Sequence, residues 1–333
     1  MTLAFVIAAV ATVFGKVFPV IGGPVTGIVT GVVVATVFKP GPRFKPGIKT
    51  GSKFLLQVSV VILGTQLSLM QVVRVGVDSL PVMLGTLAVC LVSAYLIGRC
   101  LGIVGDLRTL IGVGTGICGA SAIAAVTPVI GAAEVAVTYA VSTVFLFNIA
   151  AVLTFPMIGH ALGMSEHAFG LFAGTAVNDM SSVVAASTTF GPTAANYAVV
   201  VKLTRTLLII PICLGLAALV SRRARHCERV VDGAAEAADP ASRIRIHRLV
   251  PWFLVGFLVL AAANTAGLVP AASHHALAEV SVFLITVALS AVGLSTDLPG
   301  LRRTGPRPLI LGAALWVIVT LSSIGLMAVT GVR

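Results

Sequence analysis

Hydrophobic positions in this chain do not alternate with polar ones. They run in long blocks, separated by short clusters of Gly, Pro and charge. The blocks fall at about 2–18, 21–38, 53–75, 79–101, 109–131, 134–159, 167–190, 195–220, 249–268, 276–296 and 307–330. Most are long enough to cross a hydrocarbon core as a helix. The pattern predicts an all-α polytopic membrane protein of about 10–11 transmembrane helices. It forms one membrane domain over 1–333, with 221–248 as a cytoplasmic linker between spans eight and nine. The first block, "MTLAFVIAAVATVFG", has no basic residues ahead of it and is followed closely by the next, so it reads as a helix and not a cleaved leader.

Composition agrees: 58% of residues are hydrophobic and 10% charged, too few polar side chains to cover a water-soluble particle of this size. The net charge of +11 would suggest an acidic partner, but its distribution follows the connections. If the N-terminus is cytoplasmic, the inward connections carry Lys39, Arg43, Lys45, Lys49, Lys53, Arg99, Arg108, the arginines of 222–248, Arg302, Arg303 and Arg307. Only Lys16, Arg74 and Arg333 lie outward. This is the bias of a multi-pass inner (plasma) membrane protein, and it removes the case for a nucleic-acid partner. The five cysteines form no CxxC pair and suggest neither a disulfide framework nor a metal site.

Lys202 and Arg205 do not fit this bias. They lie inside "VVVKLTRTLLIIP" (199–211), in an apolar block with no acidic residue. A cation at the middle of a membrane helix costs roughly 2.5–3.5 kcal/mol on insertion scales. Spaced i,i+3, the two share a helix face.

Two other blocks are polar at depth. Residues 109–131 hold Gly112, Gly114, Gly116 and Gly119 with Thr115, Cys118 and Ser121, the composition of an interrupted helix whose second half offers free N–H groups. Residues 167–190 hold Thr175, Asn178, Asp179, Ser181 and Ser182. The turn "GPTA" (191–194) makes spans seven and eight antiparallel neighbours, with Asp179 and Arg205 each about 17–18 Å from it. Asp179 is therefore expected to neutralise one of the two cations as a coupling or counter-ion, and Pro211 to free the carbonyl of Leu207 as a further acceptor.

The chain also repeats itself. "GTGICGASAIAA" (114–125) aligns without gaps on "GTAVNDMSSVVA" (174–185). "VSVVILGTQLSLMQVVRVG" (58–76) resembles "ITVALSAVGLSTDLPGLRRTG" (285–305). The second pair occupies spans of opposite sense, which suggests the inverted repeats of secondary transporters.

These blocks, with "FLFNIAAVLTFPMIGH", "LGTQLSL" and "AVGLSTDLPGL", resemble those of the YeiH-type sulfate exporter family over nearly the whole chain. The resemblance implies kinship with cation/proton antiporters and bile-acid transporters, whose interrupted helices meet near the midplane. It also implies export of sulfate or a small sulfonate-like anion. The family pattern places His before the intramembrane Asp and Gln three residues after it; here Asn178 and Ser182 stand there.

The reading is thus a carrier that holds a small inorganic or organic anion with Lys202, Arg205, Thr115, Gly116, Cys118, Gly119, Ser121, Thr175, Asn178, Ser181 and Ser182. The alternative is a Na⁺/H⁺ antiporter using Asn178–Asp179. No HExxH, GxSxG or Ser/His/Asp grouping at shared depth points to an enzyme. His160 and His167 are expected at the cytoplasmic face and His274 and His275 at the outer one. Nothing calls for a cofactor or metal, and the oligomeric state stays open.

Overall fold

A computed structural model describes residues 2–17, 22–38, 45–228, 252–270, 272–294 and 305–331. The described residues are helical, in the order α1 (Thr2–Val17), α2 (Gly22–Phe38), α3 (Lys45–Leu63), α4 (Leu69–Cys100), α5 (Gly105–Gly116), α6 (Ala120–Ile130), α7 (Glu134–Ala161), α8 (Glu166–Ala176), α9 (Met180–Phe190), α10 (Pro192–Leu207), α11 (Ile209–Glu228), α12 (Trp252–Thr265), α13 (Ser273–Leu294) and α14 (Pro306–Thr330). Among them, five stretches are long and apolar enough to cross a membrane: α4, α7, α10 with the first part of α11, α13 and α14. This is an all-α polytopic membrane protein.

Several boundaries differ from the hydropathy pattern; α3, for one, begins at Lys45 and not near 53. The break expected near 75–79 falls instead at 64–68, after α3. Ser68 starts α4 there through a reciprocal cap, its hydroxyl accepting from Gln71 N and Gln71 Oε1 accepting from Ser68 N. That cap satisfies two orphan donors at once, outweighing the uninterrupted apolar run around it. The linker also starts later than 221, because α11 extends to Glu228. Residues 229–250 and most of 295–305 lie outside the described residues.

The largest buried cluster joins α4–α11 to α14 around Leu110, Ile123, Phe155, Phe172 and Leu315. A smaller one joins α1 to α13 through Ala4, Ile7, Ala8, Val287 and Ala291. Between them lies a seam where Ile28, Val60, Phe257 and Ile285 meet Val184, Val199 and Val200 of α9 and α10. The described helices thus form a core (α4–α11, α14) and a flanking panel (α1–α3, α12, α13). Within the panel α3 and α13 run antiparallel, because Ser281 Oγ donates to Ser59 O (2.9 Å) and Gln66 Nε2 donates to His274 O (3.0 Å).

The sequence pattern counts 109–131 and 167–190 as spans. Both are instead re-entrant hairpins. In the second, Phe169 near the start of α8 stacks on Phe190 at the end of α9, centroids 3.9 Å apart. Glu166 Oε2 accepts from Thr193 N (2.8 Å) and Ala194 N (3.1 Å) just beyond α9. The α8–α9 segment therefore enters and leaves on one side.

The first hairpin follows from its neighbours. Gly102, just before α5, lies beside the guanidinium of Arg307 at the start of α14. Gly312 of α14 packs on Thr143 and Phe147 of α7, and Trp316 stacks on Phe155. So α5, α7 and α14 begin on one side. Meanwhile Gly159, near the end of α7, packs on Phe169 and Phe190 at the opposite side. Only 131–133 separate α6 from α7, so α6 has returned to the side where α5 began. Helices of 12 and 11 residues reach about 17–18 Å, a little over half the hydrocarbon thickness.

Arg99, Arg108 and Arg307 mark the side where α5 begins; the α8–α9 hairpin enters from the other. Two connections therefore exchange sides relative to the sequence expectation. Residues 131–133 lie on the Arg-rich side, and 162–165, with His160 and His167 flanking them, on the opposite one.

Candidate functional site

The hairpin tips meet at α10. Each tip ends a helix and starts another at aligned positions of the repeat: α5 stops at Gly116 and α8 at Ala176, while α6 starts at Ala120 and α9 at Met180. The C-cap residues are Ile117 and Val177. Lys202, fully buried, donates from Nζ to both carbonyls, at 2.8 Å to Ile117 O and 2.6 Å to Val177 O. One ammonium thus satisfies two helix C-termini, each carrying roughly half a negative charge.

Arg205, also fully buried, donates from Nη1 to the carbonyl of Thr175 in the last turn of α8. Its Nε and Nη2 have no hydrogen-bond partner. These two nitrogens lie on one edge of the guanidinium, the fork that matches two oxygens of an oxyanion.

The second half-helices differ at their starts. At α9, Asp179 is the N-cap. Its Oδ1 accepts from Ser182 N (2.7 Å) and Ser181 Oγ (2.6 Å), and its Oδ2 from Ser182 Oγ (3.0 Å). At α6 the N-cap is Gly119, with no side-chain cap. Gly119 has φ +69°, a conformation few L-residues adopt. A Cβ there would also come within 3.1 Å of Asp179 Cβ. The two N-termini therefore meet where Gly119 lies against Asp179.

The expected ion pair is not formed. The described ion pairs are Arg74–Asp78 and His275–Glu279, and Asp179 lies within 4 Å of neither membrane cation. Its carboxylate is taken by its own helix, whose uncapped N–H groups compete at no cost in side-chain reach. Backbone carbonyls of helix ends supply the direct contacts instead, and Asp179 acts on Lys202 only through space.

The remaining sequence candidates divide. Thr115 and Cys118 are buried in or beside the α5 tip, and Gly116 packs on Leu87 and Cys90 of α4. Thr175 contributes its carbonyl to Arg205 while its hydroxyl bonds Leu171 O and Ser323 Oγ of α14. Asn178 N donates to Asn148 Oδ1 (3.1 Å), and its own Oδ1 is buried without a partner. Ser121, in the first turn of α6, is exposed. Asn148 and Ser323 were missed. Each is one of two polar residues buried in a long apolar helix, beside Thr143 in α7 and Thr320 in α14, a weak cue in the sequence.

Two opposed hairpins meeting on buried cations, inside a bundle of membrane-spanning helices, define a polytopic membrane protein with a buried polar centre compatible with transport. The chain belongs to the UPF0324 membrane protein family: the family profile described as conserved hypothetical protein 698 matches residues 1–312. Among its relatives, a UPF0324 membrane protein of Streptococcus pyogenes serotype M3 is 38% identical over all of this chain and 97% of its own length. One from Streptococcus mutans is 37% identical over the same shares, and one from Fusobacterium nucleatum 37% over 99% of this chain and 97% of its own.

Proposed function

We propose that this protein is a secondary carrier, not an enzyme, that exports sulfate or a small sulfonate-like anion by alternating access. The observation that carries the reading is the unpartnered Nε/Nη2 edge of the buried Arg205. Burying two adjacent charged donors without acceptors is costly, and an anion with two oxygens in one plane relieves both at once.

The charge balance supports it. The α5 and α8 C-termini offset Lys202, and the α9 N-terminus and Asp179 oppose each other. That leaves about one positive charge at Arg205.

The Na⁺/H⁺ antiporter reading has less support: the tip carbonyls a cation would use already accept from Lys202 and Arg205. With the Arg-rich connections and the N-terminus in the cytoplasm of an inner-membrane protein, a divalent anion leaving a cell at about −100 mV gains roughly 4.6 kcal/mol. Export then needs no second ion. The test is radiolabelled sulfate flux in proteoliposomes with and without an imposed potential. Potential-driven, saturable flux supports the reading, and flux equal to that of protein-free vesicles sinks it.

A further inference from the structure

Carbonyl oxygens at the ends of interrupted helices, turned together at membrane depth, form the geometry that coordinates a coupling cation in many carriers. Here the same geometry has an internal occupant. Ile117 O and Val177 O, one from each hairpin and at aligned positions of the repeat, both accept from Lys202 Nζ. The ammonium rests on a side chain of a third element, α10, and is fully buried.

We propose that Lys202 is a tethered substitute for a coupling cation. Its ammonium holds the two hairpin tips together permanently, the unmodified protein has no sodium requirement, and trimming the side chain creates a vacant monovalent-cation site between Ile117 O and Val177 O. The proposal deepens the carrier reading by stating what the carrier is not coupled to, and it rests on that reading only for this consequence.

Three details support a substitute over an ordinary buried lysine. Its hydrogen-bond partners here are carbonyls, the ligand type of a hard monovalent ion, and no carboxylate lies within ion-pair distance among the described residues. Two helix C-termini of about half a charge each match a single positive charge. The neighbouring Arg205 reaches a different carbonyl, Thr175 O, so it does not compete for the site.

The test uses the purified full-length protein in detergent and reads thermal unfolding, which is indifferent to whether any anion is carried. The midpoint of the unmodified protein should not move when N-methylglucamine is exchanged for Na⁺ at constant ionic strength. Lys202→Ala, which removes three carbons and the ammonium, should unfold earlier in N-methylglucamine. It should be restored saturably by propylammonium, and at least in part by Na⁺, but not by tetramethylammonium, which carries charge without N–H donors. Lys202→Met keeps the stem volume, so it should be destabilised and indifferent to all three ions, and it serves where the Ala variant does not survive purification. A sodium-dependent midpoint in the unmodified protein overturns the proposal. So does a Lys202→Ala variant that neither propylammonium nor Na⁺ restores, or a Lys202→Met variant as stable as the parent. Failure of sulfate flux with these midpoints as expected would remove the anion reading and leave the tethered cation standing.

Discussion

Ile117 and Val177 occupy aligned positions in two copies of one short motif, on hairpins that enter from opposite sides, and both accept a hydrogen bond from the ammonium of Lys202. The symmetry of the motif thus converges on a single asymmetric side chain. Arg205, about one turn further along α10, has two of its three guanidinium nitrogens without a partner.

Arg205→Ala should abolish sulfate flux in proteoliposomes while the protein still inserts and elutes as a single species. Arg205→Lys should keep only a small fraction of flux, because an ammonium cannot present the planar Nε/Nη2 edge. Equal flux for Ala and parent would return Arg205 to a packing role.

Gly119 and Gly131 offer an internal comparison. Both have positive φ, +69° and +66°, but a Cβ at Gly119 meets Asp179 whereas at Gly131 nothing lies within 4 Å. Gly131→Ala should cost about 1–2 kcal/mol, the backbone term alone. Gly119→Ala should cost more, since its ψ of −132° lies outside the αL well that Gly131 occupies and the hairpin tips must also separate. Thermal midpoints measured side by side check the order, and a Gly119→Ala variant no worse than Gly131→Ala would contradict the close approach.

Asp179 acts as an N-cap in this structure. Asp179→Asn should therefore retain most of the stability, because Asn caps about as well as Asp, while Asp179→Ala should lose about 0.5–2 kcal/mol. A counter-ion to Lys202 or Arg205 would show the opposite sensitivity, with Asn as damaging as Ala. Denaturation of the three proteins in one detergent separates the two.

Re-entrant hairpins predict which connections share a side. Ala133 and Leu162 are exposed at the two ends of α7, and Cys100 is exposed at the end of α4. In a background lacking the other native cysteines, Ala133→Cys should react with a membrane-impermeant maleimide from the same side as Cys100. Leu162→Cys should react from the opposite side. Two crossing helices in place of the hairpins would reverse both results.

The sites of interruption were legible: the glycine cluster before Gly119 and the Asn178–Ser182 cluster mark the two tips, and the ungapped alignment places the helix ends at matching residues. The return of each hairpin was not. A 12-residue helix followed by an 11-residue one has the composition and length of a single span, and whether it continues or doubles back is decided by packing elsewhere. Phe190 on Phe169, and Arg307 beside Gly102, are such contacts, remote in sequence and invisible to periodicity. Matched depth suggested an Asp179–Arg205 pair for a similar reason. Depth says which groups are within reach, while the free N–H groups next to Asp179 decided where its oxygens went.

Where the tips meet, Gly119 lies against Asp179, so one half of the repeat brings a carboxylate to the junction and the other brings no side chain at all. In a carrier of two inverted halves, moving from one end state to the other exchanges the environments of the halves, and identical halves would make those states equal in energy. A full charge present on one side only lifts that degeneracy. In the proposed carrier the empty form is therefore expected to favour one face, Gly119 against Asp179 being one of the aligned positions at which the halves differ.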